Sequence, residues 1–329
     1  MIKYPSIEQF RRVVKEVGMT YPNQILPALT FKGTVKVHGT NASVVIKPDG
    51  TITTQSRNNV ITVDKDNAGF ANWAEERKSW FHEYRSILEE ELIINDSDTV
   101  VICGEFAGGN IQKNVAITGL NKFFYIFGIR IINEPENKDY WSYEIPKFER
   151  SNDIEFDRIF MSDTIWAKNI VINFNNPEES QNELIKITND IEANCPVGKF
   201  LGGTESTVGE GVVWEHITSN GDMWSFKVKG EKHSSSKVKV MAAVDVEKMA
   251  SIDEFVDYVL TESRLEQGFT EICNNEADRK FLGAFIKWVC SDVFKEETDT
   301  LVASGLTTKE VSSKLSKTVK NWFFAKELL

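Results

Sequence analysis

Near residue 240 the hydrophobic period of the chain changes from that of strands to that of helices, and it does not change back. Upstream lie short β-branched and aromatic runs: FKGTVKVHG and ASVVIK, a Pro48-Asp49-Gly50 turn into TITTQSR, TVVICGEFAG over 99–108 and KFFYIFGIRII over 122–132. EGVVWEHI and MWSFKVKG follow, joined through the turn residues 218–222. Downstream, Phe255/Val259, Phe281/Phe285/Trp288/Val289 and Val311/Leu315/Val319/Trp322/Phe323 keep helical spacing and no alternation remains. The pattern predicts an α+β domain over 1–240, antiparallel hairpins with inserted helices, and a small all-α domain over 245–329. Within the first domain it also predicts a short helix over 5–17 opened by Pro5-Ser6 and a polar helix near 178–193. An amphipathic helix of about 25 residues is expected from Phe70 onward through Trp73, Arg77, Trp80, Tyr84 and Leu88.

A chain of 329 residues is long enough for two domains and a large core. Its four cysteines form no CxxC pair and its four histidines are scattered, which suggests neither a disulfide framework nor a zinc cluster. No apolar run approaches the ~20 residues of a membrane span, and the charged start is unlike a signal peptide, so a cytoplasmic protein without membrane partners is expected. A net charge of -11 argues against a protein that coats nucleic acid, although not against a local basic groove.

The chemistry starts at Lys36-Val37-His38-Gly39, where a strand gives way to a turn. A lysine there can serve as a covalent nucleophile, and the glycine admits close approach of a phosphate, but a KxxG tetrad alone is weak. Four further features follow in order: Glu105 at a strand end, Phe127 within a strand, Glu210 opening a third, and Lys227 with Lys229 closing a fourth. Each alone has an ordinary structural explanation. Together they supply an aromatic face for a base, a carboxylate for ribose hydroxyls, an acid for a divalent metal and cations for phosphates, the groups a nucleotide needs around a reactive amine. Lys227 and Lys229 are expected to reach one site together only where their strand twists or ends.

At these residues the chain resembles the covalent nucleotidyltransferases, the ATP-dependent polynucleotide ligases and mRNA capping enzymes, and within them the RNA ligase 2 type of double-strand RNA ligase. KVHGTN (36–41), the SRN around Arg57, GEFAGGNIQKNV (104–115), FYIFGI (124–129), EGVVW (210–214) and SFKVKG (225–230) carry the resemblance in the family's order. It implies a nucleotidyltransferase domain of antiparallel sheets with flanking helices and a helical C-terminal RNA-binding domain. It also implies an ATP-dependent RNA ligase that joins 3′-OH and 5′-phosphate ends, nicks in duplex RNA above all, through lysyl-AMP and AppRNA, as a monomer.

By the same resemblance Lys36 would attack the α-phosphate of ATP. Val37 and Gly39 would border the nucleotide, and His38, Thr40 and Asn41 would lie beside the phosphate. Asn41 and Arg57 would hold the phosphate of AMP or of the RNA end, Glu105 the ribose, and Phe127 would stack on adenine. Glu210 would serve Mg²⁺ or Mn²⁺, and Lys227 and Lys229 would contact phosphates. Thr40, Gln112 and Lys113 would face the RNA. Many members have aspartate after the stacking phenylalanine where this chain has Gly128, a departure that bears on final sealing or the metal arrangement rather than on AMP loading.

Charge is segregated to match. Lys227, Lys229, Lys232, Lys237 and Lys239 face only Glu231, and Lys309, Lys314, Lys317, Lys320 and Lys326 face only Glu310 and Glu327, while 241–300 is acidic. A basic groove for an RNA duplex is therefore expected despite the net sign. A DNA ligase or GTP-dependent capping enzyme usually has aspartate at the place of His38 and a β-rich OB fold after the catalytic domain, so both rank below RNA ligase. A nucleotide-binding relative without catalysis has only Gly128 in its favour.

Overall fold

The computed structural model describes residues 1–22, 25–91, 93–133, 138–142, 145–148, 154–203, 206–230, 232–233 and 252–327. The chain divides into two compact units, Met1–Glu8 with Arg12–Val228, and Gln9–Arg11 with Lys229–Leu329. After helix α1 (Phe10–Thr20), the first unit is built on two sheets. One has four strands in the order β11-β10-β1-β9: β1 (Ala28–Lys36), β9 (Ala167–Asn173), β10 (Gly211–Ile217) and β11 (Met223–Lys229). The other has seven. Along its main path run β4 (Val60–Ile61), β3 (Ile52–Ser56), β2 (Thr40–Ile46), β5 (Asp98–Ala107), β6 (Phe123–Asn133) and β7 (Lys138–Trp141), and β8 (Ile159–Met161) pairs with β6 in parallel.

The run that reads as one strand and a hairpin is thus split between sheets. The chain leaves the four-stranded sheet at Lys36 and enters the seven-stranded sheet at Thr40, with Val37, His38 and Gly39 as the crossing. Alternation in β2 and β5 sends Val44, Ile46, Val100 and Ile102 to one face of the larger sheet, where Trp80, Phe81, Tyr84 and Leu88 of α3 (Lys78–Glu90) cover them. The opposite face carries Val45, Val101 and Cys103 and packs with Ile217 and Met223 of the smaller sheet, so these two faces are turned toward each other.

Two helix expectations change. The long amphipathic helix is two, α2 (Phe70–Glu75) and α3, because Arg77 lies between them with its guanidinium buried over the Trp73 ring at 4.0 Å. Arg77 donates to the Trp73, Phe156 and Asp157 carbonyls, bonds that fix the break although no glycine or proline announces it. The first helix starts at Phe10, not near Pro5. Glu8 donates its N–H to the Ser225 carbonyl and accepts from the Lys227 N–H, so β11 has taken the backbone groups that a helix would have used.

The remaining helices of the first unit are α4 (Ile154–Asp157), α5 (Ser162–Ile165), α6 (Gln181–Ala193) and α7 (Pro196–Phe200). The second unit consists of α8 (Ile252–Val259), α9 (Glu262–Cys273), α10 (Leu282–Glu296), α11 (Thr298–Ala303) and α12 (Thr308–Glu327) around Phe255, Leu265, Phe269, Phe285, Val289, Leu315 and Phe323. No helix among the described residues is long and apolar enough to cross a membrane.

Candidate functional site

The crossing from one sheet to the other assembles the first cluster. Lys36 ends β1 opposite Gly211, which brings Glu210, the residue before β10, beside it. Lys36 Nζ lies 2.8 Å from Glu210 Oε2, and His38 Nδ1 lies 3.2 Å from the same oxygen. The carboxylate side chain is 1 % exposed and the lysine 20 %, so the acid is desolvated while the amine keeps an open side. Val37, between them, turns its side chain into the core and can offer a nucleotide only its backbone.

The second cluster follows from Gly39. Its N–H donates to Glu105 Oε1 at 3.0 Å, and its carbonyl accepts from Gln112 Nε2 at 3.3 Å. A Cβ at this position would lie 2.4 Å from the Phe106 carbonyl oxygen and 2.8 Å from Ala107 Cβ, so only glycine lets the turn close on β5. Gly39→Ala is expected to cost about 1–3 kcal/mol in a thermal melt.

Asn41 pairs with Glu105 across β2 and β5, and Thr40 with Phe106. Arg57 directly follows Ser56, the β3 residue that pairs with Ala42 next to Asn41. Arg57 is exposed and donates to Ser6 Oγ at 3.4 Å; Lys113 is also exposed.

Phe127 occupies a β-bulge. Cys103 pairs with Gly128 and Gly104 with Ile126, so Phe127 is the extra residue of β6. Its half-buried ring packs edge-on to Tyr4 at 4.8 Å, on the sheet face shared with Val101 and Cys103. The space beside Gly128 is filled: a Cβ there would lie 3.1 Å from Trp141 Cζ3 and 3.5 Å from Tyr4 Cε2. An aspartate could enter only by displacing the Trp141 indole. Gly128→Asp is accordingly expected to lower the melting temperature.

Lys227 and Lys229 need no special twist to act together. Residues two apart share a strand face, and the burial of Phe226 and Val228 assigns both lysines to the opposite face of β11. On the neighbouring strand, Glu215 pairs with Lys32 as Gly211 pairs with Lys36, so Glu215 lies on the same face of β10 as Val213.

Sequence reasoning missed Glu215 and its partner Tyr4, whose hydroxyl donates to Glu215 Oε1 at 2.6 Å. The acid between Val213 and Ile217 in an alternating strand was the available signal. Burial raises its pKa from 4.5 to about 7, against the lowering effects of the Tyr4 hydrogen bond and the Lys32 charge. The folded chain therefore binds more protons than the unfolded one between about pH 4.5 and 7, and stability falls as pH rises through that window. Glu215→Gln should remove a slope worth up to about 3 kcal/mol, read from melting temperatures across that range.

The expected basic helix is partly neutralised within its own unit. Lys314 pairs with Asp253 at 2.8 Å and Lys326 with Glu266, whereas Lys309, Lys317 and Lys320 are exposed. Lys232 is exposed; Lys237 and Lys239 lie outside the described residues.

The RNA ligase family model matches residues 30–229, a span that contains Lys36, Glu105, Phe127, Glu210 and both β11 lysines. The chain belongs to the RNA ligase family. A search of curated proteins found no match. Among solved structures, a glutamate-to-alanine variant of Naegleria gruberi RNA ligase with ATP and Mn is 17% identical, with a TM-score of 0.44 over 70% of this chain and 56% of that one. The same ligase with PPi is also 17% identical, with a TM-score of 0.42 over the same shares. The chain thus spans little more than half the length of these matched chains.

Proposed function

We propose that the protein is an ATP-dependent RNA ligase of the RNA ligase 2 type that seals 3′-OH/5′-phosphate breaks, with nicks in duplex RNA as its preferred substrate. The observation that carries this is the Lys36 amine held 2.8 Å from a buried glutamate at the junction of two sheets, inside the span matched by the family. In the first transfer the amine of Lys36 attacks the α-phosphorus of ATP. An N–P bond forms, the P–O bond to the β-phosphate breaks, pyrophosphate leaves, and the amine's proton passes to Glu210 Oε2. The 5′-phosphate of RNA then takes the AMP, breaking the P–N bond and returning the proton to the lysine. The 3′-hydroxyl oxygen finally attacks the capped 5′-phosphorus, the P–O bond to AMP breaks, and AMP leaves with the hydroxyl's proton. Capping the phosphate with AMP supplies the leaving group that direct joining in water lacks.

Glu105 holds the ribose, Phe127 the adenine, Asn41 hydrogen-bonds the phosphate, and Arg57, Lys227 and Lys229 neutralise its charge. His38 shares the Glu210 oxygen and fixes its rotamer. Thr40, Gln112 and Lys113 face the RNA end, and the helical unit offers RNA the exposed lysines of α12. Among the described residues no three His, Cys, Asp or Glu side chains gather as an all-protein metal site. A single carboxylate, Glu210, fits the usual way Mg²⁺ or Mn²⁺ is held, with phosphate oxygens and water as the other ligands. When bound, the ion neutralises charge on the transferring phosphate.

The test is incubation with α-labelled ATP and Mg²⁺, mapping of the adduct, and a ligation panel of single-stranded, nicked-duplex and RNA/DNA hybrid substrates. Label on Lys36 and sealing of the RNA nick are expected. Label from GTP in place of ATP would indicate a capping enzyme, and absence of any adduct a binding protein.

A further inference from the structure

One short segment ahead of α1 touches candidate site residues from both sheets. The Tyr4 ring packs edge-on to Phe127 at 4.8 Å and 69°, and to Trp141 at 5.0 Å and 72°. Ser6 Oγ accepts from Arg57, and the Glu8 carbonyl accepts from the Lys227 N–H at 3.0 Å. The segment is itself tied down at both ends. Ile2 N–H donates to Gln55 Oε1 at 2.8 Å in β3, and Glu8 N–H donates to the Ser225 carbonyl at 3.1 Å in β11.

We propose that residues 2–8 brace the nucleotide site and that Tyr4 is the positioning residue for Phe127, held in turn by Glu215 on the facing sheet. The assignment rests on the reading of Phe127 as the adenine platform. The physical need arises from the bulge. An extra residue leaves the ladder unpaired at Phe127, and a half-buried ring there has rotamer freedom that would have to be lost when a base stacks on it. The edge of Tyr4 removes that freedom beforehand. Tyr4 can do so because its hydroxyl is pinned 2.6 Å from a carboxylate on β10 while its ring is wedged between β6 and β7. Glu215, Tyr4 and Phe127 therefore form a chain of contact from the sheet that carries Lys36 to the sheet that carries Glu105. Trp141 closes the side next to Gly128, where an added Cβ would press on the indole at 3.1 Å and meet the Tyr4 ring at ordinary contact distance, 3.5 Å.

Preorganisation of this kind acts on nucleotide affinity more than on phosphoryl transfer. In lysyl-AMP formation, Tyr4→Leu should raise the KM for ATP roughly 3- to 10-fold, the range of one aromatic pair, with the loss falling on KM rather than kcat. Tyr4→Phe keeps the ring and loses the pin, so a smaller rise is expected. Glu215→Ala removes the acceptor of the hydroxyl and should raise KM to about the extent of Tyr4→Phe. In a Phe127→Ala background Tyr4→Leu should add nothing, because its target is gone.

Additive effects of the two substitutions, an equal fall in kcat, or an unchanged KM in Tyr4→Leu would overturn the brace. Should Phe127→Ala raise KM while both Tyr4 variants do not, the brace falls and the adenine platform stands. Should Phe127→Ala itself leave KM unchanged, the platform falls and the brace with it.

Discussion

Lys36→Ala is expected to remove all covalent label from α-labelled ATP and also to destabilise the fold, and adding Glu210→Gln should restore the stability without the label. The two effects separate because Lys36 does two things. Its amine is the proposed nucleophile, and its charge is the partner 2.8 Å from a carboxylate whose side chain is 1 % exposed. Truncating the lysine leaves that carboxylate with His38 at 3.2 Å and little water. Losing one charge-assisted hydrogen bond to a buried carboxylate costs about 1.5–3 kcal/mol, which a thermal melt resolves. Glutamine at 210 carries no charge to strand, so the double variant should melt near the unchanged protein while remaining inert. A double variant no more stable than Lys36→Ala would mean that the pair is not coupled as the geometry requires. Any residual lysyl adduct in either variant would place the nucleophile elsewhere.

The parts of this site that were legible in the sequence are those set by local pattern. Lys36, Glu105, Glu210 and the β11 lysines stand at strand ends whose β-branched and aromatic runs have period-two alternation, so their placement on strands follows from residue type. What was not legible depended on partners far along the chain. Residues 31–57 read as a strand followed by a hairpin, and nothing local says that Val37, His38 and Gly39 cross between sheets. Pro5-Ser6 is a sound helix-opening signal, overridden because β11 bonds the backbone at Glu8. The break at Arg77 interrupts an unblemished helical period, and its cause is a set of carbonyls some 80 residues away. The bulge was written in the sequence but overlooked: Phe124 and Ile126 face the helix-covered core, as do Ile129 and Ile131, so the buried positions of FFYIFGIRII change parity across Phe127 and Gly128.

The largest stability effect is expected in the helical unit at Arg264, whose side chain is 0 % exposed. Its Nε donates to Asp292 at 2.8 Å, its Nη1 donates to the Val259 carbonyl at the end of α8, and its Nη2 lies 3.6 Å from Glu297, itself buried. One guanidinium on α9 thus joins the end of α8, the middle of α10 and the residue between α10 and α11. Arg264→Ala leaves Glu297 buried with Arg11 at 3.3 Å as its remaining cation and strips Asp292 and the Val259 carbonyl of their donor, so a loss of about 3–5 kcal/mol is expected. Lysine should recover little, because a point charge with one reach cannot replace a planar fork that donates to two acceptors and pairs with a third group at a different angle. Replacing the charged set together, with Arg264→Met, Asp292→Leu and Glu297→Leu, should come much closer to the original stability, since well-packed apolar groups remove the desolvation cost along with the attraction. Hydrogen exchange read peptide by peptide suits a two-unit chain better than a single melting temperature, and the loss of protection should concentrate in 252–327. Lys36, Glu105, Phe127 and Glu210 all belong to the first unit. Arg264→Ala should therefore still load AMP onto Lys36 while sealing of a nicked RNA duplex falls. Equal losses of both activities would show that AMP loading too depends on an intact helical unit.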